Sequence, residues 1–65
     1  MKDRLDIIVH RSPRRPYTII DIFINGAWNG SGVCPNDVSC VDIMQTLRKK
    51  HNIPLKDTYL HLEDD

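Results

Sequence analysis

Sixty-five residues, 40% of them hydrophobic and 28% charged, are enough for one small globular domain, which we expect to cover residues 1–65. Nine basic and nine acidic side chains cancel, which argues against binding driven by bulk attraction to nucleic acid or to a membrane surface. The apolar runs are far shorter than the roughly 18 residues of a membrane-spanning helix, and residues 1–11 lack the pattern of a secretory signal. We therefore expect a soluble, cytoplasmic protein with no membrane partner.

The charges are nevertheless segregated along the chain. Residues 1–20 have a net charge of +3, residues 21–47 of −3, residues 48–57 of +3 and residues 58–65 of −3. Local charged patches are therefore expected on a molecule whose total charge is zero.

Two apolar runs near the N-terminus predict a β-hairpin. Residues 4–11 form the first strand, with Leu5, Ile7 and Val9 on one face. Residues 17–25 form the second and stronger strand, because they are rich in β-branched and aromatic side chains. The sequence SPRRP between them contains two prolines, which suit a stiff hairpin loop because proline has no backbone N–H to donate.

The segment after the hairpin has two alternative structures. Asn25-Gly26 between apolar residues is typical of a two-residue type I′ turn, which would pair Phe23 with Trp28 on a third strand. The glycines after Trp28 would limit such a strand to a few residues. The alternative is a plain glycine-rich loop.

Residues 37–51 predict the only helix, and residues 58–63 predict the last strand. The apolar stripe of the helix consists of Cys40, Ile43, Met44 and Leu47. The candidates for its N-cap are Asn36, Asp37 and Ser39. Acidic residues early in this segment and basic residues late in it suit the helix dipole.

The element order β-β-(β)-α-β predicts an α+β domain. It would consist of a small, mainly antiparallel β-sheet of three to four strands, with one helix packed on one face. We expect Ile20, Ile22 and Leu47 to be buried together between the sheet and the helix.

One helix covers only one face of such a sheet, yet the second strand is apolar on both faces. Tyr17, Ile19 and Phe23 would lie on the face without a helix. Monomers rarely leave such a patch in water. We therefore expect a homodimer that forms through this open sheet face, because a twofold dimer uses the same patch on both copies.

The best candidates for contacts with a partner lie in and after the hairpin loop. Arginine side chains bind phosphate or carboxylate groups, and aromatic side chains anchor interfaces or stack on bases. The predicted partner-binding residues are Arg11, Arg14, Arg15, Tyr17, Phe23 and Trp28. Asp21, inside an apolar strand, is expected to face a polar edge or to pair with a nearby arginine.

The third strand decides whether the basic groups act together. Without it, the helix returns to the hairpin loop, and a nucleic-acid surface would combine Arg14 and Arg15 with Arg48, Lys49 and Lys50. With it, the helix ends far from that loop, the two patches separate, and protein recognition is favoured.

Metal binding and thiol catalysis have weaker support in the sequence than partner binding. The possible metal ligands are Cys34, Cys40, His10, His51 and His61. Five residues separate the cysteines, more than the two to four that zinc knuckles prefer. Cys34 precedes Pro35 near the start of the helix, but no Cys-x-x-Cys is present. We expect no metal, no cofactor and no catalytic residue.

These patterns together favour a non-enzymatic interaction protein that binds another protein. Accessory regulators and inhibitors, including those of phages, are of this type. One alternative is a nucleic-acid-binding protein that uses the arginine loop, residues 11–15. The other is a small metal-binding module that uses Cys34, Cys40 and the histidines.

Overall fold

The computed structural model describes residues 3–64, and its element order is β-β-β-α-β. The strands are β1 (Leu5–Arg11), β2 (Tyr17–Ile24), β3 (Ala27–Pro35) and β4 (Thr58–Asp64), and the helix is α1 (Cys40–His51). A short 3₁₀ turn, Leu55–Asp57, precedes β4. The predicted α+β fold, a small sheet with one helix, is confirmed.

The four strands form one mixed sheet in the order β3-β2-β1-β4. β2 pairs antiparallel with both β1 and β3, while β4 pairs parallel with β1. A parallel partner requires a crossover, which α1 supplies. α1 therefore starts near the end of β3, at the hairpin-loop end of the sheet, and β4 starts beside Leu5 at the opposite end.

The Asn25-Gly26 turn starts a third strand, and this strand is longer than predicted. Both turn residues have positive φ, 55° and 82°, as a type I′ turn requires. Phe23 pairs with Trp28 as expected, but the whole of β3 is nine residues long. The expectation of only a few residues was wrong, because a bulge takes up the extra residue Asn29 and lets the later residues pair with β2.

The core is centred on β1. Leu5, Ile7 and Val9 are fully buried, as their alternation predicts. Three isoleucines, Ile20, Ile43 and Ile53, complete the buried apolar set. The expectation for Ile22 and Leu47 was only partly right, because both are partly buried at the edge of the core. α1 lies mainly against β1 and β4, so the β2 side of the sheet is less covered.

The helix begins at Cys40, three residues later than predicted. Among the three candidate caps, Ser39 takes the role: its hydroxyl accepts a hydrogen bond of 3.1 Å from the Asp42 backbone N–H. At the other end Asn52 adopts the left-handed conformation, φ 55°, and its N–H donates to the carbonyl of Arg48. Both ends are therefore capped in the way that helix termini require.

Replacement of Ile43 by alanine should lower the free energy of unfolding by about 2–5 kcal/mol, because it leaves a cavity beneath the helix. The change Leu47→Ala should cost less, since Leu47 is already partly exposed. Urea denaturation at pH 7 measures both values. Equal losses would mean that α1 lies over β2 more deeply than described above.

Candidate functional site

The sheet face turned away from α1 is termed the open face. Alternate residues of each strand point to it, and the strand register places them side by side. Its members are Asp6, Ile8 and His10 of β1; Tyr17, Ile19, Asp21 and Phe23 of β2; Trp28, Ser31 and Val33 of β3; and Tyr59, His61 and Glu63 of β4.

The β2–β3 half of the open face is largely apolar. Trp28 and Val33 are 63% and 66% exposed, and Tyr17 is 40% exposed. Ile19 and Phe23 are half-buried, and they pair across the strands with Val33 and Trp28. These five residues are termed the apolar strip. A polar row formed by Asp21 and Ser31 crosses the strip at its middle.

The β1–β4 half of the open face is ionic. Nε2 of His10 lies 2.8 Å from a carboxylate oxygen of Asp21, and Nδ1 of His10 lies 3.4 Å from a carboxylate oxygen of Glu63. His10 therefore connects β1 to both of its neighbouring strands. Both ring nitrogens are occupied by contacts within the chain.

A second ionic group surrounds Asp6. Arg4 Nε donates to its carboxylate at 2.9 Å, Nε2 of His61 lies 2.9 Å from it, and the Arg4 guanidinium lies 4.1 Å from the centre of the Tyr59 ring. The hydrogen bond from Arg4, assisted by His61, holds the pKa of Asp6 below its usual value although burial opposes this. The same bond raises the pKa of Arg4. We term Arg4, Asp6, His10, Asp21, His61 and Glu63 the ionic network.

A shallow hollow of about 320 Å³ lies on the open face. Its lining consists of Asp6, Ile8, Phe23, Gly26, His61 and Glu63. The polar groups of this lining already contact one another or their neighbours in the ionic network, and the hollow therefore combines paired carboxylates with the apolar side chains of Ile8 and Phe23. In residues 3–64, no three His, Cys, Asp or Glu side chains are grouped so that they could hold a metal ion.

Arg11 of the arginine loop is engaged within the chain. Its Nε donates to the Thr18 hydroxyl at 2.9 Å, and its terminal nitrogen donates to the carbonyl of Val38 at 2.6 Å. Thr18 is fully buried and donates to the Asn36 side-chain oxygen at 2.7 Å, and the Asn36 amide donates to the carbonyl of Arg15. These bonds fasten the hairpin loop to the β3–α1 connection. A partner at Arg11 would compete with them.

The other two arginines of the loop differ in exposure. Arg15 donates to the carbonyl of His10 at 3.0 Å, and its guanidinium lies 5.6 Å from the centre of the Tyr17 ring. Arg14 is exposed, and its backbone N–H donates to the Ser12 hydroxyl at 3.2 Å. Among the three, Arg14 is the side chain most accessible to a partner.

The second basic group lies at the other end of the molecule. Arg48 donates to the carbonyl of Ile53 at 3.2 Å and to the Gln45 side chain, while Lys49 and Lys50 are exposed. Because β3 exists, the helix runs away from the arginine loop, and the six basic residues do not form one patch. This is the geometry that the sequence predicts for a chain with a third strand.

The possible metal ligands are spread over the molecule. Both cysteines are free thiols and half-buried: Cys34 faces the helix side of β3, and Cys40 is the first residue of α1. His51 is the last residue of α1, whereas His10 and His61 belong to the open face. The cysteines and the two network histidines therefore lie on opposite faces of the sheet.

Sequence reasoning missed the ionic network. The only signal was Asp21 within an apolar strand, for which an arginine or a polar edge was expected, and its partner is His10. The register places His10 opposite Ile19, one diagonal step from Asp21. The contacts of His61 and Glu63 depend on the parallel position of β4, which the pattern of a single strand does not reveal.

Comparison with known proteins found no matching family model and no significant match among curated proteins or solved structures. No helix within residues 3–64 has the length and apolar character needed to cross a membrane.

The variant Asp6→Asn should be less stable than the native chain at pH 7, and this difference should disappear in acid. Because the pKa of Asp6 is lower when folded than when unfolded, the ionised carboxylate stabilises the fold above its unfolded pKa of about 4. That stabilisation is lost as the pH falls through the folded pKa. Thermal unfolding from pH 7 to pH 3 measures the effect, and a difference independent of pH would contradict it.

Proposed function

We propose that this chain is a non-enzymatic interaction protein that binds another protein through its open face and forms a homodimer through the same face. The observation that carries the proposal is the apolar strip. Trp28 and Val33 keep about two thirds of their surface exposed, and no other segment within residues 3–64 covers them. Exposed apolar patches on small proteins typically mark interaction sites.

Burial energetics support this proposal. A large apolar side chain left in water forgoes roughly 1.5–3 kcal/mol of burial free energy. Several such side chains together are comparable with the few kcal/mol of stability that a domain of this size typically has. A partner that covers the strip would therefore stabilise the fold as well as bind it.

The ionic network gives the interface an orientation. Complete overlap of two open faces would bring carboxylates such as Asp21 and Glu63 close to those of the second copy. An offset arrangement, in which only the two apolar strips stack, leaves the network at the rim. Charged groups at a rim contribute to partner choice and association rate more than to affinity.

A binding function, and not catalysis, fits the state of the polar side chains. His10 has a carboxylate at each ring nitrogen, so neither nitrogen is available to a substrate without loss of an existing contact.

The proposal includes a cytoplasmic location and a role as an accessory regulator or inhibitor, as small phage proteins often have. The partner is then recognised by an apolar surface next to carboxylates.

Nucleic-acid binding is the second candidate, supported by the exposed cations Arg14, Lys49 and Lys50. Nucleic-acid binding has less support than protein binding for two reasons. The two basic groups lie at opposite ends of the sheet, and Arg11 and Arg15 donate to groups within the chain. Few phosphate contacts remain possible on any one surface, and phosphate contacts dominate such affinity.

Sedimentation equilibrium at micromolar concentration tests the homodimer. The native chain should sediment as a dimer, and the double variant Trp28→Glu, Val33→Glu should raise the dissociation constant by at least about a hundredfold, because it would bury two unpaired charges. The matched control is Val41→Glu, since Val41 is 59% exposed on α1. This control should dimerise normally.

Circular dichroism of all three proteins separates loss of association from loss of folding. A native chain that is monomeric throughout the micromolar range, or a control that dissociates as readily as the double variant, would contradict the homodimer.

The positive charge of the arginine loop allows an independent test of protein binding against nucleic-acid binding. Arg14→Ala should leave folding and dimerisation unchanged, because the side chain is exposed. Fluorescence anisotropy with a labelled DNA duplex should show no specific binding. If the duplex does bind, with an affinity that falls steeply between about 50 mM and about 200 mM salt and is reduced in Arg14→Ala, the nucleic-acid alternative replaces the proposal.

A further inference from the structure

The outer edge of β3 is a free strand edge. β3 is the last strand at one side of the sheet, so β2 is its only strand partner within residues 3–64. The sequence of Ala27–Pro35 contains no charged residue, and its one proline is the last residue. Sheet edges are usually protected from other strands by charged side chains, by proline or by a covering element. In the described part of the chain, β2 is the one element in extensive contact with β3.

The other edge strand, β4, differs from β3 in its charges. It ends in Glu63 and Asp64, and the Glu63 side chain is 58% exposed. Charged side chains of this kind discourage the pairing of a further strand. β3 has only a bulge at Asn29, which lies near the turn and leaves residues 30–35 in regular register with β2. β3 is therefore the edge to which a strand can be added.

The hydrogen bonding of β2 shows which backbone groups of β3 point outward. The N–H of Asn25 donates to the carbonyl of Arg4 at 2.8 Å, in the direction of β1. In an antiparallel sheet the backbone groups of successive residues alternate between the two neighbouring strands. Even-numbered residues of β2, such as Ile20, therefore point their backbone groups to β3. Gly32 is the register partner of Ile20, so its own groups point back to β2.

Ser31 and Val33, on either side of Gly32, consequently direct their N–H and C=O groups to the free edge. Within residues 3–64 no other strand or loop bonds to these groups. Two donors and two acceptors in this order are what an antiparallel strand pairs with. An extended backbone presents the matching groups at the same spacing, so the occupant of this edge is a β-strand.

A second copy of β3 matches this pattern about a twofold axis at Gly32. Ser31 of each copy then lies opposite Val33 of the other, and each of these two pairs makes two hydrogen bonds. A shift in one direction places Val33 opposite Asn29 in the bulge. A shift in the other direction places Ser31 opposite Pro35, which has no N–H to donate. The register at Gly32 pairs every outward group of Ser31 and Val33.

We propose that two copies of this chain pair antiparallel through their β3 edges, with Gly32 facing Gly32 of the second copy. The two four-stranded sheets become one continuous sheet with β4 at both ends. Because β4 carries acidic residues, the assembly closes at two copies instead of growing. No like charges meet along β3. This interface lies at the side of the sheet and does not depend on the homodimer through the open face.

Disulfide trapping at residue 32 tests the pairing and its register. Gly32→Cys, combined with Cys34→Ala and Cys40→Ala, leaves one thiol in the chain. A Cβ at this position meets no heavy atom within 4 Å, so the fold should tolerate the change. In the proposed dimer the two new cysteines form a non-hydrogen-bonded pair with Cα atoms about 4.5 Å apart, which a disulfide can span. Because a few backbone hydrogen bonds give modest net affinity, we expect pairing near millimolar protein.

Ser31→Cys in the same background is the matched control. Residue 31 is two residues out of step with residue 31 of the second copy, beyond the roughly 7 Å that a disulfide spans. Ser31 is exposed and Gly32 is half-buried, so accessibility alone would favour the control. In a glutathione redox buffer, Gly32→Cys should nevertheless form covalent dimer at least about tenfold faster, as measured by non-reducing electrophoresis. Residue 32 faces the helix side of the sheet, so its crosslinking does not report contact through the open face.

A proline tests the role of the backbone. Ser31→Pro, added to Gly32→Cys, removes an outward N–H without loss of a hydrogen bond between β2 and β3, and an edge strand tolerates proline at such a position. Crosslinking should fall by at least about tenfold, because the pairs that involve residue 31 each lose a donor. Ser31→Ala keeps the N–H and should crosslink like its parent. Circular dichroism checks that each variant is folded.

Two results would overturn the proposal: crosslinking by Gly32→Cys that is no faster than by Ser31→Cys, or crosslinking by folded Ser31→Pro that equals that of Ser31→Ala. If Ser31→Pro does not fold, the comparison of the two cysteine variants decides. Sedimentation of the native chain at micromolar concentration reports the open-face homodimer separately, so failure of one interface is distinguishable from failure of the other.

Discussion

A single helix is about 10 Å wide, and the four strands that it must cover span about 19 Å. This mismatch determines which residues on the helix side of the sheet are buried and which are partly exposed. α1 lies mainly over β1 and β4, so the inward row Leu5, Ile7 and Val9 is fully buried. In the inward row of β2, Thr18 and Ile20 are buried but Ile22 and Ile24 only partly so, and β3 contributes Gly32 to the hollow beside α1. The partly exposed inward row of β2 is a consequence of this incomplete cover, whereas the open face is exposed because α1 packs on the opposite side of the sheet.

Polar side chains also hold the sheet and its connections together. Thr18, fully buried at the start of β2, receives a hydrogen bond from Arg11 and donates one to Asn36. This group joins the hairpin loop to the connection between β3 and α1. On the other face His10 connects three strands through Asp21 and Glu63. Arg11 and His10, which could be taken for functional groups, therefore also stabilise the contacts between strands and loops.

The sequence predicts features that depend on local patterns and fails where the answer depends on distant partners. The alternation of β1 and β2, the Asn25-Gly26 turn and the helical stripe are local, and each is found in the structure. The length of β3 was underestimated, because pairing with a strong β-forming neighbour overrides the low strand propensity of glycine. The pairs of His10 and His61 with carboxylates depend on cross-strand register, which propensity does not encode. In the apolar strip, Tyr17, Ile19 and Phe23 were predictable because both faces of β2 could be read directly. Trp28 was predictable through its pairing with Phe23, but Val33 was not, because β3 was expected to be short.

The parallel pairing of β1 with β4 has a mechanical consequence. The seven residues of each strand lie in register, from Leu5 beside Thr58 to Arg11 beside Asp64. The chain enters β1 at one end of the sheet and leaves β4 at the other. A force that pulls the two ends of the chain apart therefore loads these strands in shear, so their hydrogen bonds must break together instead of opening one after another. The small domain should resist stretching between its ends far better than its modest core suggests.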